Sequence, residues 1–256
     1  MKSIVLCNYH VPEKSLPYYD EFGFGVEIQK FLDIVDDTDD IIALYNKVLP
    51  VGIERYMHAP YWDLCLGSSN KRISDVTRLF FDYSYDVAGR LGCQGVTVHH
   101  GDVPHTTRPA KWVERAVGFW QDFFDSNRGD VKVFMENHLE RTPDMLIEII
   151  DKCEEQRLAV NLDVGHAHAF SELSVVEWIV RLGSRIGYVH LHQNNGSYDE
   201  HLALTKGNME MQEILHALEE HAPQAVWALE HGWDDLDESI AFLIECGFVK
   251  RGGGGK

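Results

Sequence analysis

Nine acidic or imidazole side chains stand where short β-rich runs of this chain end. His58 follows VGIERYM, His99 follows GVTV and Glu136 follows VKVFM. Asp163 and His166 come from LAVNLDVGH, and His190 from IGYVH. Asp199 and His201 form DEH just beyond it, and Glu230 closes AVWAL. Strands of one sheet that end in such groups bring them to one rim. Carboxylates gathered there are expected to repel and raise one another's pKa, which makes a divalent cation their natural partner. The pattern reads as a metalloenzyme. A purely structural polar network is the plain alternative, but it leaves four strand-end groups poorly satisfied.

The elements that must position these groups alternate along the chain. Strand-like runs lie at 3–8, 25–31, 51–57, 95–100, 131–137, 158–163, 186–192 and 225–230. Between them fall helical patterns such as SDVTRLFFDYSYDVAGRLG, AKWVERAVGFWQDFF and MEMQEILHALEEH. Thr142 before Pro143 at a first helical position, and Ser174 with Glu177 at capping-box spacing, mark two helix starts. Eight strand–helix alternations without a long break imply one α/β domain, a (β/α)8 barrel over residues 1–250. An open doubly wound sheet would offer a Gly-rich loop after its first strand, where CNYHVPEK stands instead. Within the runs, Tyr188, His190 and His192 share one face, as do Asn161 with Asp163 and Ala228 with Glu230. Those faces point inward, and the catalytic groups of such barrels sit at the C-terminal strand ends.

The chain has 256 residues and a formal net charge of −18, which disfavours broad nucleic-acid or anionic-membrane surfaces. Five scattered cysteines without a C-x-x-C pair suggest a reduced, cytoplasmic protein with buried thiols. The start MKSIVLCNYHVPEK reads as a first strand, not a signal peptide, and no apolar segment is long enough to span a membrane. The glycine-rich tail at 251–256 is expected to be disordered.

Taken together, HAPYWDL, VTVHHG, MENHLERTP, LDVGHAH, YVHLHQNNGSYDEHLALTKGN and ALE resemble the xylose isomerase-like TIM-barrel superfamily. It holds sugar and sugar-phosphate isomerases and epimerases, and the endonuclease IV type (AP endonuclease family 2). The epimerase-like branch implies one divalent ion, often manganese, on Glu136, Asp163, His190 and Glu230. The two glutamates then act as base and acid on opposite faces of an enediolate, and His166 holds a substrate hydroxyl. The endonuclease-like branch implies three zinc ions. His58, His99 and Glu136 hold the first, and Glu136 bridges to a second on Asp163, His190 and Glu230. His166, Asp199 and His201 hold the third. Tyr61 matches an aromatic of that branch. The chain departs from both: Asn194, Asn195 and Gly196 stand where the epimerase pattern expects an arginine, and the acidic surface does not suit DNA.

The leading expectation is a divalent-metal-dependent isomerase or epimerase of a small sugar or sugar phosphate. Glu136 and Glu230 form its acid–base pair, and one to three manganese or zinc ions are bound. The alternative is a multinuclear zinc hydrolase of a phosphoester or related bond; a non-catalytic metal scaffold ranks last. Tyr61, His138, His192 and Lys206 are candidate substrate contacts. Tyr9 and Trp62 could stack on a substrate, and His100, His168 and His231 could support the ligands. Asp36, Asp37, Asp39 and Asp40 lack the spacing of a calcium loop and read as a solvated helix start. A small molecule is the expected partner, with nucleic acid and membrane disfavoured and a homo-oligomer allowed for.

Overall fold

The computed structural model describes residues 2–8, 12–106 and 108–250. The expected residues Tyr9 and 251–256 lie outside them. The strands are β1 (Ile4–Asn8), β2 (Gly25–Ile28), β3 (Arg55–His58), β4 (Gly95–His99), β5 (Lys132–Glu136), β6 (Leu158–Asp163), β7 (Ile186–Leu191) and β8 (Val226–Leu229). They close into a parallel barrel in chain order, with Ile4, Val5 and Leu6 pairing Trp227, Ala228 and Leu229. The helices are α1 (Leu16–Phe22), α2 (Thr38–Val48), α3 (Lys71–Arg90), α4 (Pro109–Ser126), α5 (Asp144–Cys153), α6 (Val164–Phe170), α7 (Val175–Leu182), α8 (Met211–His221) and α9 (Leu236–Glu245). This is the expected (β/α)8 barrel, not an open sheet.

The alternation of side chains builds two layers. Outward residues such as Val96, Val98, Val133, Met135, Val189, Leu191 and Trp227 join the helices in the main core. Helix α4 meets them with Trp112, Val113, Ala116, Trp120 and Phe123, a stripe at helical spacing, and starts with Pro109 where a missing N–H costs nothing. Burying each such side chain contributes about 1.5–3 kcal/mol. Inward residues Val5, Cys7, Tyr56, Phe134, Tyr188 and Ala228 form a separate cluster inside the barrel. The Tyr188 ring lies 4.9 Å from Tyr56 and 5.1 Å from Phe134, so aromatic packing plugs the interior. The neighbouring strands yield space for it. A Cβ on Gly95 would stand 2.2 Å from the Phe134 ring, and one on Gly187 would stand 2.8 Å from it.

Most expected elements stand, with shorter strands. Residues 51 and 52 form a turn instead of starting β3, and β2 ends at Ile28. Ser174 and Glu177 form the expected capping box of α7. Pro143, expected inside a helix, is instead the residue before α5, which begins at Asp144. Two short helices, α1 and α6, had no expectation; each has seven residues, too few to show a helical period. Asp39 and Asp40 lie in the first turn of α2, where the helix dipole favours negative charge. Among the described residues no helix is long and apolar enough to cross a membrane.

All five cysteines are free, but only Cys7 and Cys93 are buried. The expectation of buried thiols therefore holds for two of them. Burial pushes the Cys93 thiol up to about 12, which suppresses its reactive thiolate. In the folded protein near neutral pH, a thiol reagent is expected to spare Cys7 and Cys93 and to reach them only in denaturant. Native modification of Cys93 would contradict this packing.

Candidate metal centre

The C-terminal strand ends meet around Glu136, the last residue of β5. Its Oε2 lies 3.1 Å from His58 Nε2 at the end of β3 and 3.0 Å from His99 Nε2 at the end of β4. Its Oε1 lies 2.8 Å from His190 Nδ1 on β7. Glu230, just past β8, places Oε2 2.9 Å from the same His190 nitrogen. Asp163 closes β6 and begins α6 at once, and its Oδ1 accepts the His166 backbone N–H at 2.7 Å as a helix cap. This cap explains why His166 arrives at the rim without a strand of its own. Asp199 and His201 enter on the β7–α8 loop, where Asp199 Oδ2 lies 3.3 Å from His166 Nε2 and 2.8 Å from His201 Nε2.

The expected ligand sets differ in how well they converge. Single donor atoms of Glu136, Asp163, His190 and Glu230 lie within 4.8 Å of one another, as do those of His58, His99 and Glu136. The expected third set is centred on Asp199, with His166 and His201 on either side of one oxygen.

The imidazoles are oriented so that they could hold an ion. His58, His166 and His201 each place Nδ1 2.8 Å from a backbone carbonyl, those of Ala59, Asn137 and Glu230. A carbonyl only accepts, so Nδ1 carries the proton and Nε2 faces the carboxylates. His190 is turned the other way, with Nε2 3.0 Å from Glu27 Oε2 and Nδ1 toward Glu136 and Glu230. Such anchoring on the far nitrogen is how proteins present imidazole to a metal. These nitrogens and carboxylates suit a borderline cation such as zinc or manganese. Asp199 Oδ1 is a buried acceptor with no hydrogen bond, a further place for positive charge.

Electrostatics departs from the expected mutual repulsion. Burial alone would raise Glu136, but the charges of His190 and His99 outweigh it and hold its carboxyl well below the usual range. Glu230 is lowered in the same way, chiefly by His190 against the effect of burial. Burial opposes the charged imidazole at His166 and His201, yet neighbouring carboxylates win. Asp163 and Asp199 help to raise His166 to about 10, and Asp199 and Glu230 help to raise His201 to about 9. The carboxylates face imidazoles more closely than each other, so protons do the neutralising. His138 is the reverse case: burial, with His99 and His166 nearby, lowers it to about 4.

The open pocket above these groups is lined by Tyr61, Trp62, His138, Gln29 and several of the expected ligands. The Tyr61 ring stacks 4.9 Å from His99, and Trp62 is largely exposed at the mouth. Two expected substrate contacts sit elsewhere. His192 is fully buried behind the wall, with Nε2 3.1 Å from both Asp163 oxygens, so it orients Asp163. Lys206 lies on the surface, held by Asp235 at 2.5 Å and Glu238 at 3.3 Å. Of the histidines expected as support, His100 lies 2.6 Å from Glu140, whose other oxygen accepts the His138 N–H. His168 and His231 bond Asn208 and the Gly232 carbonyl.

Glu27 and Gln29 carry no expectation from the sequence reading. Both are buried, and Gln29 Nε2 bridges Glu27 Oε1 at 2.8 Å and Glu230 Oε1 at 2.9 Å. Their i, i+2 spacing in GVEIQ is the alternation that placed the other inward groups, and it could have found them.

The loop after His99 turns at Gly101, whose φ is +75° and whose Cβ position lies 2.0 Å from the Leu64 carbonyl oxygen. Gly101→Ala is expected to cost about 2 kcal/mol or more and to lower Tm by roughly 5 °C. An unchanged thermal melt would contradict that geometry.

The family described as xylose isomerase-like TIM barrel matches residues 21–246. The chain belongs to this family. An uncharacterized protein of Methanocaldococcus jannaschii is 29% identical over 198 residues, which cover 70% of the chain and 64% of that protein. The chain thus matches just under two thirds of this relative's length. A Thermus thermophilus protein, solved after soaking with zinc chloride, superposes with a TM-score of 0.76 at 23% identity, over 99% of each chain. A D-tagatose 3-epimerase-like protein superposes with a TM-score of 0.76 at 22% identity, over 96% of this chain and 97% of that one. These structures share the family's barrel along nearly its full length.

Proposed function

We propose that the protein is a divalent-metal-dependent epimerase or isomerase of a small sugar. One observation carries this reading: Glu136 and Glu230 approach the same His190 nitrogen from different strands, at 2.8 and 2.9 Å, and both line the open pocket. Glu136, Asp163, His190 and Glu230 would hold the ion. When bound, it supplies Lewis acidity, polarising neighbouring substrate oxygens and acidifying the hydrogen on the carbon they flank. One glutamate removes that proton from one face of the substrate, and the other returns a proton to the opposite face. His138 and His166, beside each other in the wall, hold substrate hydroxyls. The kinship with a D-tagatose 3-epimerase-like protein supports the same chemistry.

The wall favours a neutral sugar over a sugar phosphate. Among the described residues, those lining the pocket include no lysine or arginine. Lys206, a candidate substrate contact, is engaged by two carboxylates on the surface.

A multinuclear hydrolase remains the second reading, because His58, His99 and Glu136 converge as a further donor group. The double variant Asp199→Ala with His201→Ala separates the two. Epimerisation is expected to stay within about tenfold of wild type, whereas Glu230→Gln is expected to lose about 10³-fold. A folded double variant without activity would overturn the first reading in favour of the second.

A further inference from the structure

We propose that Glu27 of β2 and Gln29 just beyond it are positioning residues, fixing the orientation of His190 and Glu230 on the far side of the rim. The inference rests on the metal-dependent reading above. Of the four imidazoles with an anchored far nitrogen, three use a backbone carbonyl. His190 alone uses a carboxylate, Glu27 Oε2 at 3.0 Å. With Nε2–H donated to Glu27, the Nδ1 lone pair is left for the ion. In the opposite tautomer the bare Nε2 would face the Glu27 oxygen and the Nδ1 proton would take the ion's place beside Glu136 and Glu230.

Glu27 is itself held. Its Oε1 accepts from Gln29 Nε2 at 2.8 Å and from the Cys7 thiol at 3.5 Å. The same Gln29 nitrogen donates to Glu230 Oε1 at 2.9 Å. The Gln29 amide has one sensible orientation, because a flip would face its oxygen to two carboxylates. Strand β2 therefore reaches His190 on β7 directly and Glu230 beyond β8 through one amide. Glu27 and Gln29 have 3% exposure or less, and burying a carboxylate is costly without such directed bonds. A carboxylate behind a ligating histidine typically sets metal affinity by about 10–100-fold.

The test uses the full chain, freed of metal and titrated with Co²⁺, read by affinity and visible absorption with far-UV circular dichroism as the folding control. Glu27→Leu is expected to weaken Co²⁺ binding by about 10–100-fold and alter the absorption bands. Glu27→Gln is expected to restore part of the affinity, because its amide oxygen can still accept the Nε2–H although its NH₂ then meets the Gln29 donor. A folded Glu27→Leu variant with wild-type affinity and bands would overturn the inference alone. A wild-type protein that takes up no Co²⁺ would overturn the metal-dependent reading with it. If Glu27→Leu does not fold, ¹⁵N shifts of the zinc-loaded wild type decide. A His190 proton on Nε2 supports the inference, and one on Nδ1 overturns it.

Discussion

Glu136→Gln is expected to reduce turnover by about 10³-fold or more and to strip the protein of most of its metal, while leaving the barrel folded. Among the described residues, Glu136 is the one carboxylate in contact with the end groups of three other strands, through His58, His99 and His190. An amide of the same shape keeps the packing but removes the charge, and its NH₂ cannot ligate. The fold should tolerate this because the inner aromatic plug and the helical shell do not depend on it. His58 and His190, whose charged forms Glu136 helps to favour against burial, can revert to neutral. Elemental mass spectrometry and circular dichroism on the purified variant check both halves. A variant with wild-type metal content and turnover would remove Glu136 from the centre of the site.

Metal removal is the second large effect, and its size should depend on pH. In the metal-free protein, His166 and His201 are raised to about 10 and about 9. A raised imidazole contributes stability that is fully present below its unfolded value of about 6.5 and is lost as pH climbs through the folded value. The chelated protein should therefore weaken steadily from about pH 6.5 towards pH 10. An ion on Glu136, Asp163, His190 and Glu230 neutralises carboxylates that help to raise both imidazoles, so the loaded form shares less of the loss. At an ion concentration of a thousand times Kd the gain is about 4 kcal/mol. The difference in Tm between loaded and chelated protein is accordingly expected to be larger at pH 9 than at pH 6. An equal or smaller difference at pH 9 would mean that protons do not stand in for a cation here.

Much of this site was readable from the chain because two periodicities coincide. A parallel barrel forces alternate residues inward, so Asn161 with Asp163 and Ala228 with Glu230 declared their faces in the sequence itself. The nine strand-end groups do gather at one rim. What failed was local. His192 has the parity of an inward residue, yet it stands behind Asp163, because Gly165 of α6 leaves room for its ring there: a Cβ at that glycine would lie 2.0 Å from it. Helix α6 was invisible at seven residues, and with it the cap that delivers His166. Lys206 read as a free cation because its partners, Asp235 and Glu238, are distant in sequence. Glu27 was overlooked because it lies inside the barrel in place of its rim, although its parity was legible. The pKa directions were also misjudged: spacing shows which carboxylates cluster, but not that imidazoles come between them.

The most direct test of the account is solvent deuterium incorporation. The protein, loaded with manganese, is incubated in D₂O with a panel of ketopentoses and ketohexoses and followed by NMR. The account predicts a second epimer carrying deuterium at the inverted carbon, and almost none of that epimer after chelation or in Glu230→Gln. Absence of exchange with every ketose, together with metal-dependent cleavage of a phosphodiester, would contradict it.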